Sequence, residues 1–430
     1  MGTTGGRPRR GATIGVALAV LALSAPAATA TAASHPSTTA ADRTAAASVP
    51  TAAHNPWLWQ ATVGQRPAGP AALVFFTPRT RYFESTGVLV GRDGGYRLIP
   101  LRVGEGHGLV SPDGRHYLRP QTGELLDLTT GRQRRAMTDG VSLFDWSPDG
   151  RRVLGTRSND DDVISFGPDN QQLNDPEKPD DLLVVDPYRG TEQVVAAGVF
   201  AAHHGAAWSS TGDLVAVAGP PDEPALLAER QRLVVVDPNG GGPRWHLDLG
   251  DRRMLAGPAA WHPDNGRIAL LAFDGCAGPR CAVEQIEARR WRIEFVDATS
   301  GRAVGQPLPL AAGVNSIVGW RGADPVVRHV SGTEADTDRR ATLAVLSDGG
   351  AREVLVTGPP GSTDLAVPGD LLRRYAFGGP ERRPSPFAAP LWCYLALAAP
   401  VLLAVVLVLR RVRRRRGSAT TPTTTPAPWT

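Results

Sequence analysis

The chain has 430 residues, a formal net charge of +4 and three cysteines. Six arginines near the C-terminus and three near the N-terminus account for more than this positive excess, so the rest of the sequence is mildly acidic. A nucleic-acid-binding protein carries its basic field on the folded domain, and the composition therefore argues against that class of function. Lys178 is the only lysine, an arginine bias that indicates high-GC bacterial coding.

The N-terminal residues have the three parts of a secretory signal. Arginines at the start precede an apolar run over residues 12–23, and a small-residue stretch ends at residues 28–30. This order predicts a signal peptide over residues 1–30. If the signal stayed uncleaved, it would add a second span and leave the following domain on the same side. Residues 31–54, rich in Ala, Ser and Thr, are expected to form a disordered arm.

A Trp-Ser-Pro-Asp-Gly unit at residues 146–150 is typical of a type I turn between two strands. Pro148 presets φ at the second turn position, Asp149 suits the third and Gly150 the fourth. The unit starts with Trp146, and partial copies start with Trp208, Trp261 and Trp320. These tryptophans recur at intervals of roughly 50–60 residues, which indicates a repeat architecture.

A second motif alternates with the first. Apolar strands end in an aspartate that is followed by a turn with glycine, at Asp186, Asp237 and Asp297. As turn formers, these aspartates accept hydrogen bonds from backbone amides. A ring of carboxylates binding a cation in a central channel is the alternative, and the Pro or Gly after each aspartate favours turns.

Several short strands per repeat predict an all-β fold, a β-propeller over residues 55–378. The spacing favours six blades, with five to seven open. One blade is expected to combine strands from both ends of this region, and that arrangement would close the ring. The contributing segments are 71–76, 88–90 and 96–101 from the N-terminal side, and 354–356 and 365–367 from the C-terminal side.

These motifs resemble the TolB-type, WD-like propeller repeat, in which a Trp-Ser-Pro-Asp-Gly turn opens each blade. Residues 146–150 match that turn fully, and residues 111–114 match it without the tryptophan. The Gly-His and Trp-Asp pairs of ordinary WD repeats are missing. The resemblance covers residues 105–350 and implies a six-bladed wheel used mainly for binding.

The C-terminal part predicts a membrane anchor. After a linker at 379–390, residues 391–409 form an uncharged run that is long enough to span a bilayer as a helix. The stop-transfer cluster that follows consists of Arg410, Arg411, Arg413, Arg414, Arg415 and Arg416. By the positive-inside rule, residues 410–430 form a cytoplasmic tail and the propeller lies on the extracytoplasmic side of the plasma membrane.

Two loops carry candidate sites. Cys276 and Cys281 are expected to form a disulfide outside the cell. Asp160, Asp161 and Asp162 lie in an acidic insertion, where oxygen ligands suit Ca²⁺. Their spacing lacks the ligand order of a calcium loop, so a solvated acidic loop is the favoured interpretation.

The chain has no nucleophile elbow, zinc-protease, phosphate-loop or dinucleotide motif, and no cofactor is expected. The leading hypothesis is a non-enzymatic binding or scaffold module for a protein, peptide or cell-envelope ligand. The alternative is an enzyme or small-ligand sensor. It requires at least three carboxylate or histidine side chains from several blades, converging at one mouth of the central channel.

Overall fold

The computed structural model of the chain describes most of the region beyond residue 47. The described residues are 48–77, 86–101, 107–120, 122–138, 140–157, 165–166, 172–173, 180–196, 205–219, 231–240, 242–277, 281–311, 313–332, 338–347 and 351–417. The predicted signal peptide, most of the predicted arm and the candidate calcium ligands Asp160, Asp161 and Asp162 lie outside these residues.

The described strands form six four-stranded antiparallel sheets and one short hairpin. Blade 1 contains β1 (Ala71–Thr77), β2 (Thr86–Gly91) and β3 (Tyr96–Pro100). Blade 2 contains β4 (Leu109–Val110), β5 (His116–Leu118), β6 (Glu124–Asp127) and β7 (Gln133–Arg135). Blade 3 contains β8 (Val141–Trp146) and β9 (Val153–Arg157), then, after the hairpin β10 (Ser165–Phe166) and β11 (Gln172–Leu173), β12 (Asp181–Asp186) and β13 (Thr191–Ala196).

The second half of the ring repeats this plan. Blade 4 contains β14 (Ala206–Trp208), β15 (Val215–Gly219), β16 (Gln231–Asp237) and β17 (Gly242–Gly250). Blade 5 contains β18 (Arg253–Leu255), β19 (Arg267–Asp274), the helix α1 (Val283–Glu287), β20 (Arg290–Asp297) and β21 (Ala303–Pro309). Blade 6 contains β22 (Val314–Arg321), β23 (Asp324–Ser331), β24 (Arg340–Leu346) and β25 (Arg352–Thr357). The strand β26 (Asp364–Ala366) and the helices α2 (Gly369–Arg373) and α3 (Leu391–Gly417) complete the described elements.

The predicted six-bladed propeller is confirmed, and one strand assignment is corrected. β26 pairs antiparallel with β1, with Phe75 opposite Leu365, so blade 1 takes its inner strand from the C-terminal side of the ring. Residues 354–356, expected in this blade, belong instead to β25, which pairs with β24 as the outer strand of blade 6. Blade 1 already has three strands from the N-terminal side, so one strand from the other end completes it.

The strand order gives the propeller two unlike faces. In blades 2 to 6 a turn joins the inner strand to the second strand at one end of the sheet, which we call the turn face. In all six blades a turn joins the third strand to the fourth at this same end. The second and third strands, and successive blades, are connected at the other end, which we call the loop face. The chain enters β1 and leaves β26 at the turn face, because β1 is a second strand and β26 an inner strand.

Apolar side chains fill the spaces between neighbouring blades. β1 is buried along its whole length, because both of its sides face other blades. The buried clusters join blade 1 to blade 2, blade 2 to blade 3, blade 3 to blade 4, blades 4 to 6, and blade 6 to blade 1. A blade cannot cover both of its own faces, so stacking on its neighbours supplies the core.

The helix α3 has the length and composition of a membrane span. The most apolar 18-residue window of the segment Leu391–Arg411 has a mean hydropathy of 2.5, and none of this window is buried in the protein. Pro400 lies inside the helix, where a membrane span tolerates a proline. Among the described residues this is the one helix that could cross a membrane.

Candidate functional site

At the turn face, the Ser-Pro-Asp-Gly turns are stabilised by hydrogen bonds that their own side chains make. Ser147 donates its hydroxyl to Asp149 at 2.6 Å and accepts the Arg152 amide at 2.9 Å. Burial opposes ionisation of Asp149, but the Ser147 hydroxyl, the Arg151 amide and the neighbouring arginines outweigh it and lower its pKa. The positive φ of Gly150 is the conformation that this turn position requires.

Related turns keep this geometry with different residues. Ser209 donates to Asp213 and accepts the Leu214 amide. In blade 5 the imidazole of His262 takes the place of the hydroxyl, with Nδ1 lying 2.7 Å from Asp264 Oδ1. His262 is therefore part of a turn that holds the blade ends together.

The repeated tryptophans lie between blades, and the indole N–H groups of three of them connect one blade to the preceding one. Trp208 donates Nε1–H to the Asp145 carbonyl, and Trp261 donates to the Ala207 carbonyl at 3.1 Å. Each acceptor is the residue immediately before the tryptophan of the preceding blade. Trp320 donates to Ala259, two residues before Trp261, at 2.8 Å.

The aspartates of the second motif lie in turns at the turn face. Asp186 accepts the backbone amides of the two residues that follow its neighbouring proline. Asp237 accepts the amide of Asn239. Asp297 accepts hydrogen bonds from the side chains and amides of Thr299 and Ser300, which lower its pKa to about 2. These carboxylates bond to their own turns and do not gather into a ring.

Cys276 and Cys281 form a disulfide on the loop face, in the connection between β19 and β20. Arg289 donates Nε–H to the Cys276 carbonyl at 2.9 Å, and its guanidinium lies over the Phe273 ring. The disulfide and this arginine give shape to a loop that also contains α1. The exposed Ile286 lies on that helix.

Four polar side chains meet at the loop-face ends of the inner strands. We call them the inner-strand cluster, and they are His107, Asn315, Arg328 and Asp364. Asp364 begins β26, Asn315 lies near the start of β22, and His107 precedes β4, so three blades contribute. Arg328, on β23, forms an ion pair with Asp364 and donates Nε–H to Asn315 at 3.1 Å.

The carboxylate of Asp364 is the centre of this cluster. Burial alone would raise its pKa, but the Arg328 guanidinium and then His107 outweigh burial and lower it. His107 Nδ1 lies 3.0 Å from Asp364, and the imidazole stacks on Phe76 with ring centroids 3.9 Å apart. A proton held on Nδ1 by the carboxylate leaves Nε2 as an acceptor in the neutral ring. The His107 side chain is 41% exposed, so the cluster is accessible at its edge.

A second carboxyl lies on an inner strand, in blade 3. Asp145 lies on β8, beside Trp146, and is partly buried. Burial raises its pKa to about 8, and the hydrogen bond that it accepts from the Trp146 amide at 2.8 Å opposes this only in part.

No motif in the sequence indicates the inner-strand cluster. Its members are spread from residue 107 to residue 364, and no local spacing brings them together. The cluster supplies one carboxylate and one histidine, whereas the alternative hypothesis requires three such groups. Among the described residues, no group of three or more His, Cys, Asp or Glu side chains is placed to hold a metal ion.

Comparisons with known proteins add remote fold likenesses. No protein-family model and no curated protein matches the sequence. TolB from Acinetobacter baumannii shares 15% identity over 68% of this chain and 67% of its own, with a TM-score of 0.38. An oligogalacturonate lyase in complex with manganese shares 13% identity over 70% and 77%, with a TM-score of 0.40. A hypothetical selenium-binding protein from Sulfolobus tokodaii shares 8% identity over 77% and 100%, with a TM-score of 0.41. Sequence identities and TM-scores this low give no information about the activity of this chain.

Proposed function

We propose that the chain is an exported, membrane-tethered binding protein of a bacterial cell envelope. In this proposal the signal peptide at 1–30 directs export and α3 anchors the chain. The stop-transfer arginines stay in the cytoplasm. The propeller acts outside the membrane as a non-enzymatic scaffold that presents its loop face to a protein, peptide or envelope ligand.

The difference between the two faces is the observation that carries this proposal. The turn face has short turns whose polar groups are already bonded to each other, as at Ser147 and Asp149. The helix α2 also lies on this face, where Asp370 bonds to Pro112 and Arg92. At the loop face, 23 residues separate the end of β9 from the start of β12, and 15 residues separate the end of β19 from the start of β20. The disulfide shapes the second of these connections. Binding residues are commonly found on loops that a rigid scaffold positions, so the loop face is the better binding surface.

Photo-crosslinking from the two faces of blade 5 tests this assignment. A photoreactive amino acid replaces Ile286, which is exposed on the loop face. In the matched control it replaces Arg302, which is exposed beside the turn at the opposite end of β20. We expect the full-length protein, illuminated in intact cells, to give a discrete adduct from position 286 and none from position 302. Adducts from 302 alone would contradict the assignment.

The inner-strand cluster supplies two of the three groups that a second candidate, a small-ligand sensor or enzyme, requires. The half-exposed His107, oriented by Asp364, is suited to accept or donate a proton at a bound molecule. A thermal-shift screen of envelope sugars and short peptides should then find a ligand that stabilises the wild type and not His107→Ala. His116→Ala is the matched control, because His116 lies beside Tyr188 and outside the cluster. A ligand that stabilises all three proteins equally would rule out this site.

A further inference from the structure

The segment between the propeller and α3 is fastened to the propeller along its length. We call residues 379–388 the strap. At its start, Gly379 donates its amide to Val49 at 2.9 Å and accepts the Thr51 amide. Glu381 lies 2.6 Å from His54 Nε2, and Tyr96 donates its hydroxyl to the Arg382 carbonyl at 2.9 Å. The linker predicted over 379–390 is therefore bonded to blade 1 and to the segment that leads into it.

Two tryptophans bond to the second half of the strap. Trp57 donates Nε1–H to the Pro384 carbonyl at 3.0 Å, and Trp59 donates to the Pro386 carbonyl at 2.7 Å. Their rings stack, with centroids 5.1 Å apart and an interplanar angle of 17°. The N–H group of each indole thus has a hydrogen-bond acceptor within the protein.

The apolar parts of these residues remain open to solvent. Trp57 is 43% exposed, Leu58 and Trp59 are each 46% exposed, and Phe387 is 77% exposed. We call these four residues the aromatic patch. Large apolar residues exposed together indicate an interaction surface, and tryptophan is enriched where a protein meets the headgroup region of a membrane.

The aromatic patch is continuous with the start of the membrane helix. The strap ends where Ala388 accepts the Ala61 amide at 2.8 Å, and residues 61–63 run beside β3 at the outer edge of blade 1. Only residues 389 and 390 separate this bond from Leu391, so the two points lie within about 10 Å along the chain. Leu391 and Trp392 are 71% and 63% exposed. Because α3 starts so close to the Ala61–Ala388 hydrogen bond, the aromatic patch lies near the depth at which α3 would enter the membrane.

We propose that the aromatic patch inserts into the interfacial layer of the membrane and seats the propeller on the lipid by the outer edge of blade 1. The proposal rests on the proposed anchoring by α3 and adds a fixed orientation to it. The exposed Arg383, whose side chain is 82% exposed, lies on the same strap and suits the phosphates of anionic lipids. The continuity with α3 favours lipid as the occupant over a second protein.

Spin labelling of the full-length chain in vesicles of phosphatidylethanolamine and phosphatidylglycerol tests the proposal. Cys393→Ala removes the free thiol, and Leu58→Cys places a nitroxide on the aromatic patch. Val194→Cys is the matched control, a 49% exposed apolar position on β13 of blade 3. Each labelled protein must melt at the temperature of its parent, and each preparation is first floated with the vesicles.

The expected result is a ratio of oxygen to nickel-complex accessibility that is several-fold higher at residue 58 than at residue 194. Equal ratios in protein that floats with the vesicles would overturn the docking and leave the anchoring intact. Protein that does not float would overturn the proposed anchoring itself. A label at residue 58 shielded from both reagents, with dipolar broadening, would show that a second copy covers the aromatic patch and would also overturn the proposal.

Discussion

At the residue scale, the tryptophans combine two stabilising contributions. Each ring fills the space between blades, and three of the indoles also donate to a carbonyl of the preceding blade. Trp146 is buried in the same way, but its Nε1 has no hydrogen-bond partner in the part of the chain that the structure describes. The chain therefore contains its own comparison between a bonded and an unbonded indole.

Trp261→Phe should destabilise the protein more than Trp146→Phe. Both changes remove a similar volume, but only the first leaves the Ala207 carbonyl without its donor. The difference in the free energy of unfolding should be about 1–2 kcal/mol. Urea unfolding of both variants, followed by far-UV circular dichroism, measures it. Equal losses would show that packing alone sets the contribution of these tryptophans.

Asp145→Asn should remove a pH dependence of stability. Because burial raises the pKa of Asp145 to about 8, the native state stays protonated where the unfolded carboxyl, near 3.8, has ionised. The native state then binds more protons, so the stability of the wild type falls as pH rises from about 4 to about 8.

Between pH 5 and pH 9 the free energy of unfolding of the wild type should fall by on the order of 2 kcal/mol relative to that of Asp145→Asn. This is less than the full pKa shift would give, because Asp145 is only partly buried. Asn keeps an acceptor for the Trp146 amide, so this hydrogen bond does not confound the comparison. Urea midpoints at both pH values give the result. Parallel pH profiles of the two proteins would contradict the prediction.

At the scale of elements, ring closure depends on three residues of β26. This strand pairs with β1 and occupies the inner position of blade 1. Leu365 is 1% exposed and belongs to the buried cluster that joins blades 6 and 1. Closing the ring removes the open sheet edges that an unclosed propeller would expose.

Leu365→Ala should therefore lower the free energy of unfolding by about 2–4 kcal/mol, because it leaves a cavity at the closure. Val354→Ala, at a position on β25 that is 52% exposed, should change it by less than about 0.5 kcal/mol. Chemical unfolding monitored by tryptophan fluorescence compares the two. A loss as small at Leu365 as at Val354 would mean that β26 contributes little to closure.

At the scale of the whole molecule, orientation across the membrane decides which partners the loop face can meet. α3 has the length of a span, and the arginines that begin with Arg410 follow its apolar part. These arginines are expected to remain in the cytoplasm. The propeller would then lie on the opposite side.

Two reporter fusions test this orientation. A fluorescent protein that folds only in the cytoplasm should be bright when fused after Thr430. A phosphatase that is active only outside the cytoplasm should be active when fused after Pro390 in a chain that ends there. The reverse pattern would place the propeller in the cytoplasm and remove the basis of the proposed function.

The sequence by itself determined the repeat and the candidate anchor, because both are local patterns. The turn at 146–150 and the recurring tryptophans were sufficient to predict a propeller and to favour six blades, with five to seven open, since turn residues act over a few positions and repeats recur along the chain. An uncharged run before a row of arginines is likewise readable without a fold.

Only the tertiary structure decided which distant residues meet. It placed residues 354–356 in blade 6, brought His107 to Asp364, and bonded Trp57 and Trp59 to the strap. The contacts of His107, Trp57 and Trp59 join residues from opposite ends of the chain. The pairing of residues 354–356 depends on which strand closes the ring. Such contacts depend on how the blades are arranged in space, and that arrangement leaves no signal in local sequence spacing.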